Sequence, residues 1–215
     1  MKMVIKSDYS YLTEVRQLLI RRGVMQVSRR DEIKKVAVRH LLQFGYEGTK
    51  LADIAQGAGI KKQSMYAHFE NKRDLVVEIH EEATKQEIAF LTAFFDKHRG
   101  KPLPKTMQTF AAEMKERYET NPNVKLMFLM AFMPPEPLQQ LFITLYDLYS
   151  HHLLHLLELA FRSDPTLRAD AKEAALAVHT VLEGLSAKLI FGSPDYFIQA
   201  SETTFSFLWK GILHS

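Results

Sequence analysis

Between residues 61 and 72 the chain gathers cations and hydrogen-bonding side chains: Lys61, Lys62, Gln63, Ser64, Tyr66, His68 and Lys72. Lysine, tyrosine and histidine of this kind reach phosphate oxygens. Glutamine and serine can read base edges, and the paired donor and acceptor of a Gln amide match adenine. A second group lies further on. Five of the nine methionines, Met107, Met114, Met127, Met130 and Met133, interleave there with Phe110, Tyr118, Phe128 and Phe132. Soft, adaptable side chains suit a pocket for variable apolar ligands, and equally suit a plain Met-rich helical core. Tyr146, Tyr149 and His179 would lend such a pocket its polar contacts. A third group is the pair His151 and His155, spaced i and i+4 as metal ligands can be. No third ligand is evident beyond His179 or Glu183 reaching in from the next helix, so a solvated or pocket-lining role is preferred over a metal.

What is missing narrows the chemistry. With no cysteine among 215 residues, disulfide scaffolds, thiolate zinc sites and cysteine catalysis are excluded. No Ser/His/Asp order, Gly-rich phosphate loop or metalloprotease motif occurs, so neither a cofactor nor enzymatic turnover is expected. At 47% apolar and 25% charged residues the chain has the composition of an ordinary globular protein. The longest apolar run, Leu126 to Met133, is far shorter than the roughly 20 residues a membrane span needs. A cytoplasmic protein is therefore expected. The net charge of +3 hides a division. Residues 1–80 carry 15 Lys+Arg against 9 Asp+Glu, and residues 81–215 carry 13 against 16. A basic head joined to a mildly acidic body suggests a module that faces a polyanion beside a module with another task.

The elements that must position these groups are helices. Ile33, Val36, Ala37, His40, Leu41 and Phe44 recur at helical spacing until Gly45, with Asp31 placed just before them at the positive helix end. Thr49 can cap a short second helix to about Ala55, a third runs from about Lys62 to His68, and Asn71 can cap a long fourth that ends by Gly100. Further helices are expected at about 105–119, 123–132, 136–162, 167–191 and 195–213, divided by Pro- and Gly-containing breaks. No hairpin or strand pattern appears, so the fold is all-α. Residues 51–69 have the spacing of a helix-turn-helix: Ala55 is small where two helices must touch, and Gly59 stands where the sharp turn favours positive φ. Ile54, Ala58, Ile60 and Met65 supply a shared core. The second helix of the pair then shows Lys61, Lys62, Gln63, Ser64, Tyr66 and His68 outward, as a major-groove helix would.

The wider string Phe44-Gly45-Tyr46, Thr49, Ile54-Ala55, Ala58-Gly59-Ile60, Tyr66, His68-Phe69, Lys72 and Leu75 resembles the DNA-binding domain of the tetracycline-repressor (TetR) family of bacterial transcription regulators. The resemblance covers residues 27–87, and the rest of the chain matches the family only in helix number and length. It implies a three-helix DNA-binding domain joined by a long fourth helix to a ligand-binding and dimerisation domain at 88–215. It implies also that Lys61 to Tyr66 hold the recognition helix, that Thr49 and Lys50 stand at the backbone-contacting start of helix two, and that Tyr66, His68 and Lys72 position phosphates. Two residues depart from the family pattern: Lys61 stands where Ser is frequent and Gln63 where Gly is frequent. The added side chain makes Gln63 the first candidate for direct base readout.

Two apolar stripes near the C-terminus, one of Ala174, Ala175, Val178, Val181, Leu182, Leu185 and Leu189, the other of Phe197, Ile198, Phe205, Leu208 and Ile212, would pair with those of a second subunit in a four-helix bundle. Trp209 serves as an anchor there or as intramolecular core. The expectation is a homodimeric, ligand-responsive regulator, most simply a repressor, that reads a palindromic double-stranded operator and is released by an apolar or amphipathic small molecule. The competing expectation is an all-α carrier or enzyme whose helix-turn-helix no longer functions. Residues 1–26 form an N-terminal extension. Either residues 1–24 are translated leader ahead of a natural start at Met25, since Arg21-Arg22-Gly23 can be encoded by a purine-rich ribosome-binding tract, or the extension is a basic arm.

Overall fold

Helix α1, Arg29–Gly48, opens on a capping box: Ser28 Oγ accepts from the Asp31 amide at 3.1 Å, and the Asp31 carboxylate accepts from the Ser28 amide at 3.1 Å. Asp31 is therefore the third helical residue rather than one preceding the helix, and its Ser28 hydrogen bonds hold its carboxyl below the usual range. The computed structural model describes residues 28–213. The extension at 1–26, and with it the choice between leader and basic arm, lies outside the described residues. Regular helix stops at Gly45, whose φ of 67° and ψ of −177° only glycine adopts readily. The chain then forms α2 (Leu51–Gly57), α3 (Lys62–Tyr66), α4 (Lys72–Lys97), α5 (Leu103–Thr120), α6 (Pro122–Phe132), a single 3-10 turn (Glu136–Leu138), α7 (Gln139–Arg162), α8 (Ala171–Phe191) and α9 (Pro194–Ile212). No strand occurs among the described residues, only an isolated bridge between Leu167 and Leu213.

Side-chain caps fix where most of the later helices begin. Asn71 accepts from the Asp74 amide ahead of α4, Asn121 from Asn123 and Val124 ahead of α6, Asp170 from Lys172 and Glu173 ahead of α8, and Ser193 from Tyr196 ahead of α9. Pro122 and Pro194 occupy the first turns of their helices, where a missing amide costs nothing.

Two cores result. The head core joins Ile33, Val36 and Leu41 of α1, Ile54 and Ala55 of α2, Met65 of α3 and Leu75, Val76 and Ile79 of α4. It is completed by Leu126 and Met130 of α6, Leu138, and Phe142 of α7. A boundary drawn at residue 87 thus cuts through α4 and separates the head from four side chains of its own core. The body core is built from the second half of α4 with α5 to α9, around Leu91, Phe110, Leu157, Phe161 and Phe205.

The C-terminal stripes have another role than the one expected of them. Ala174, Ala175, Val178, Leu182 and Leu185 of α8 and Phe197, Phe205 and Ile212 of α9 are buried within the single chain. By length and composition α8 could cross a bilayer, but these residues place it in a protein core instead. Trp209 stacks on Phe205 with ring centroids 5.7 Å apart and lies 6.3 Å from Phe161, so it too belongs to the intramolecular packing. The apolar groups left on the outside of this hairpin are Leu176, Phe191, Tyr196, Ile198 and Phe207, the last 71% exposed.

Candidate nucleic-acid interface and ligand cavity

The α2–α3 turn is set by backbone chemistry. Gly59 adopts φ 66°, the Ala58 amide donates to Ile54 O, and the Ile60 amide donates to Ala55 O. Ile54, Ala55 and Met65 are buried under the turn. The short helix α3 is thereby anchored through Met65 and leaves its other side chains outside. Lys61, Lys62, Gln63, Ser64 and Tyr66 are exposed, Tyr66 by 50%. None of these five side chains makes a hydrogen bond or ion pair among the described residues.

The remaining expected contacts separate into two kinds. Lys50 is exposed and precedes α2 as its N-cap residue. Thr49, expected to cap α2 and to touch a backbone phosphate, does not cap the helix, whose N-cap residue is Lys50. It is 2% exposed, and its hydroxyl donates to Gly45 O at 2.7 Å, so it locks the end of α1 instead. Its hydroxyl is satisfied inside the protein because the glycine break leaves that carbonyl without a helical partner. His68 is half-buried, and its carbonyl accepts from the Arg30 guanidinium. Lys72 Nζ donates to Tyr46 O at 2.6 Å and sits 4.2 Å from the Tyr46 ring centroid. It ties the start of α4 to the end of α1 while two of its three donors stay available.

The sequence reading missed the work of the other head cations. Arg29 pairs with Glu32, Arg30 with Glu78, and Lys34 reaches Glu82 at 2.7 Å as well as Asp31 and Glu78 at 3.2 Å. Hydrogen bonding from Arg30, with help from Lys34 and against burial, holds the Glu78 carboxyl below its usual range. Arg30 also covers the Phe69 ring at 4.1 Å. These cations fasten α1 to α4 and to the end of the recognition helix. Lys50, Lys61 and Lys62 carry no such internal partner. The basic surplus of the head therefore contains a structural half and an available half. Spacing to Glu78 and Glu82, which lie 44 to 48 residues away in sequence from their partners, could not have revealed this.

The expected ligand-pocket residues are dispersed over four places. Met114, Tyr146, Tyr149 and His179 line one closed cavity of about 10 Å³, together with Phe128, Ser150 and Glu183. Met127, Tyr146 and Tyr149 line a second, also about 10 Å³, with His80, Thr84 and Phe128. Met107 and Phe110 belong elsewhere: both are fully buried in the body core, and the Phe110 ring packs against Phe90, Phe94 and Phe95. Met130 lies in the head core. Helical periodicity makes all of these equally apolar, and only the packing of α6 against α1 and of α5 against α4 distinguishes them. A larger open recess of about 570 Å³, between the α4–α5 turn and the end of α7, contains none of the expected residues.

The polar groups of the closed cavities are specific. Tyr146 Oη donates to Glu183 Oε1 at 2.8 Å, and burial, reinforced by Glu183, pushes its phenol pKa up. Ser150 Oγ lies 3.0 Å from His179 Nε2, and His179 Nδ1 lies 3.8 Å from Glu183. His80, unremarked in the sequence because it follows Ile79 in an apolar stripe, is 2% exposed and stacks 4.2 Å from the Phe142 ring. Its Nδ1 is buried without a partner, and burial lowers its pKa to about 4. His151 Nδ1 faces the Asp147 carbonyl at 2.6 Å, and no three His, Asp or Glu side chains assemble into a metal-binding group among the described residues.

Comparison with known proteins divides the chain in the same place. Residues 33–79 match the family model described as bacterial regulatory proteins, tetR family. The HTH-type transcriptional repressor KstR2 of Mycolicibacterium smegmatis is 40% identical over 52 residues, 24% of this chain and 25% of that protein. The biofilm operon icaADBC negative transcriptional regulator IcaR of Staphylococcus aureus is 41% identical over 46 residues, 21% of this chain and 25% of that protein. The matched stretch therefore spans about a quarter of the curated relatives' own length. Structural likeness reaches further. SmeT, the repressor of the Stenotrophomonas maltophilia multidrug efflux pump SmeDEF, superposes with a TM-score of 0.67 over 88% of this chain and 92% of that one, at 17% identity. SmeT has also been solved in complex with triclosan.

Proposed function

We propose that this chain, which carries the DNA-binding domain of the tetR family of bacterial regulators, is a homodimeric transcriptional repressor that leaves its operator when a small apolar molecule enters the body. The observation that carries the reading is the unencumbered face of α3. Five polar side chains there have no hydrogen-bond or ion-pair partner among the described residues, while Arg30 and Lys34 behind them are paired with acids. Gln63 is assigned to a base edge, and Lys50, Lys61, Lys62, Tyr66, His68 and Lys72 to phosphates, with Ser64 between the two kinds of contact. A second copy packed on Leu176, Phe191, Tyr196, Ile198 and Phe207 would place two such helices on successive major grooves, about 34 Å apart. The apolar character of the effector follows from the cavity linings, and SmeT with triclosan offers a precedent on the same fold. The alternative of a carrier or enzyme with an inert head has less support, since the α2–α3 turn is intact, with Gly59 at positive φ and Ile54, Ala55 and Met65 buried beneath it.

Electrophoretic retardation of the DNA flanking its own gene tests the reading. The wild-type protein is expected to shift a palindromic fragment with strong salt dependence. Lys61→Ala, which removes one phosphate contact from each half-site, should lower the salt slope by about two. Gln63→Ala should cost about 1–3 kcal/mol at one base pair of each half-site and relax preference there. Absence of retardation at low salt would sink the proposal.

A further inference from the structure

The two closed cavities share three lining residues: Phe128 of α6 and Tyr146 and Tyr149 of α7. The wall between them is therefore made of aromatic side chains, and the Phe128 and Tyr149 rings meet edge to face at 6.2 Å. Neither cavity holds more than about one water in its present form. Resting on the repressor reading, we infer that the two are halves of one ligand chamber closed by Phe128, Tyr146 and Tyr149, and that its ligand is an uncharged molecule with an apolar ring body and a hydrogen-bonding group at each end.

Each end supplies its own requirement. At the α4 end stands His80, whose Nδ1 is buried and unpaired, a group that gains a hydrogen bond from any neutral donor or acceptor brought beside it. At the α8 end stands Glu183, which accepts from Tyr146 through Oε1 and retains further acceptor capacity for a donor, with His179 and Ser150 beside it. Between the ends the lining is Met114, Met127, Phe128 and Leu145, which asks for an apolar body.

Charge decides the ligand's class. Glu87 is a buried acid nearby, and Arg117 already balances it, whereas the Glu183 side chain is 40% exposed at the edge of its cavity. Glu183 has no lysine or arginine partner, and burial keeps His179 towards its neutral form against the pull of Glu183. An anion would meet the carboxylate at one end and no cation at the other. A ligand charged positively at both ends would have to bury one charge beside neutral His80. A neutral molecule satisfies both ends without burying an unpaired charge.

Para,para′-dihydroxybiphenyl is a probe with these properties. Its comparators are biphenyl, which lacks the polar ends, the corresponding dicarboxylate, and the bis-ammonium analogue. Binding of each to the full-length protein is measured by calorimetry, and its effect on promoter retardation is measured alongside. The diol is expected to bind at least about tenfold more tightly than the other three. Its affinity should fall about tenfold or more in His80→Leu and in Glu183→Gln. Circular dichroism and thermal melting of both end variants at about pH 7, expected to match the wild type, separate loss of a ligand group from loss of structure. Stronger binding of either charged analogue, equal affinity for biphenyl, unchanged diol affinity in both end variants, or no binding of any probe would overturn the inference. Failure of the underlying repressor reading shows differently: the ligand-free protein would not retard its promoter, whatever the probes do.

Discussion

Arg117 illustrates how an individual side chain can be indispensable without touching a ligand. Its guanidinium pairs with Glu87 and lies 4.0 Å over the Phe90 ring, and Glu87 is only 3% exposed. Arg117→Ala would strand a buried carboxylate. The expected cost is about 3 kcal/mol, read as a lowered urea midpoint. His80 gives a prediction of the opposite kind, in pH. An unfolded histidine titrates near 6.5, whereas burial lowers folded His80 to about 4. As pH falls between these values the unfolded chain takes up a proton that the folded chain refuses, so stability declines through that window and His80 adds nothing above it. The decline attributable to His80 is about 3 kcal/mol. Urea melts at about pH 7 and about pH 4.5 should show it in the wild type and a smaller loss in His80→Leu. His152, His179 and Glu78, whose pKa values are also lowered, contribute in the same direction and remain in the variant as background.

At the scale of the element, helix starts and breaks were largely legible because their causes are local. Asn71 and the Pro and Gly breaks act within a few residues of themselves, and Gly59 carries the positive φ that its place in the turn demands. The face that each helix turns inward was harder to read. On α8 and α9 apolar residues occur on more than one face, so periodicity alone could not separate the buried stripe from the outer one: most of the residues expected to meet a partner belong to the chain's own core, while Ile198 stays 44% exposed. For the same reason Met107, Phe110 and Met130 looked like pocket residues beside Met114 and Met127. Thr49 was misread because its hydroxyl had two possible partners, the amides of α2 and the carbonyl exposed by the Gly45 break, and the second is closer. The outer stripe makes a definite prediction. Phe207→Glu places a charge at the centre of the proposed subunit contact without disturbing a buried residue. It should convert a dimer into a monomer in sedimentation measurements and abolish promoter retardation while the helical signal is retained.

Across the whole molecule, the charge division read from the sequence coincides with head and body, but the packing does not divide there. Leu126, Met130, Leu138 and Phe142 of the body complete the head core. At about 1.5–3 kcal/mol for each buried side chain, they contribute on the order of 6–12 kcal/mol, comparable with the entire stability of a small domain, about 5–15 kcal/mol. A fragment of residues 27–87 should therefore be unfolded by circular dichroism, and the intact chain should melt in one transition. Two well-separated transitions would contradict this.

Helix α6 faces both ways. Met127 and Phe128 line the chamber, while Leu126 and Met130, one and two or three positions away, are packed into the head. The consequence concerns exchange between regulators. Related proteins that swap DNA-binding modules by recombination would inherit a head whose floor belongs to the donor's body, so a junction placed in α4 should yield an unstable chimera. Specificity in this architecture is better transferred by replacing the exposed residues of α3 alone, because no hydrogen bond or ion pair ties their side chains to the rest of the described residues.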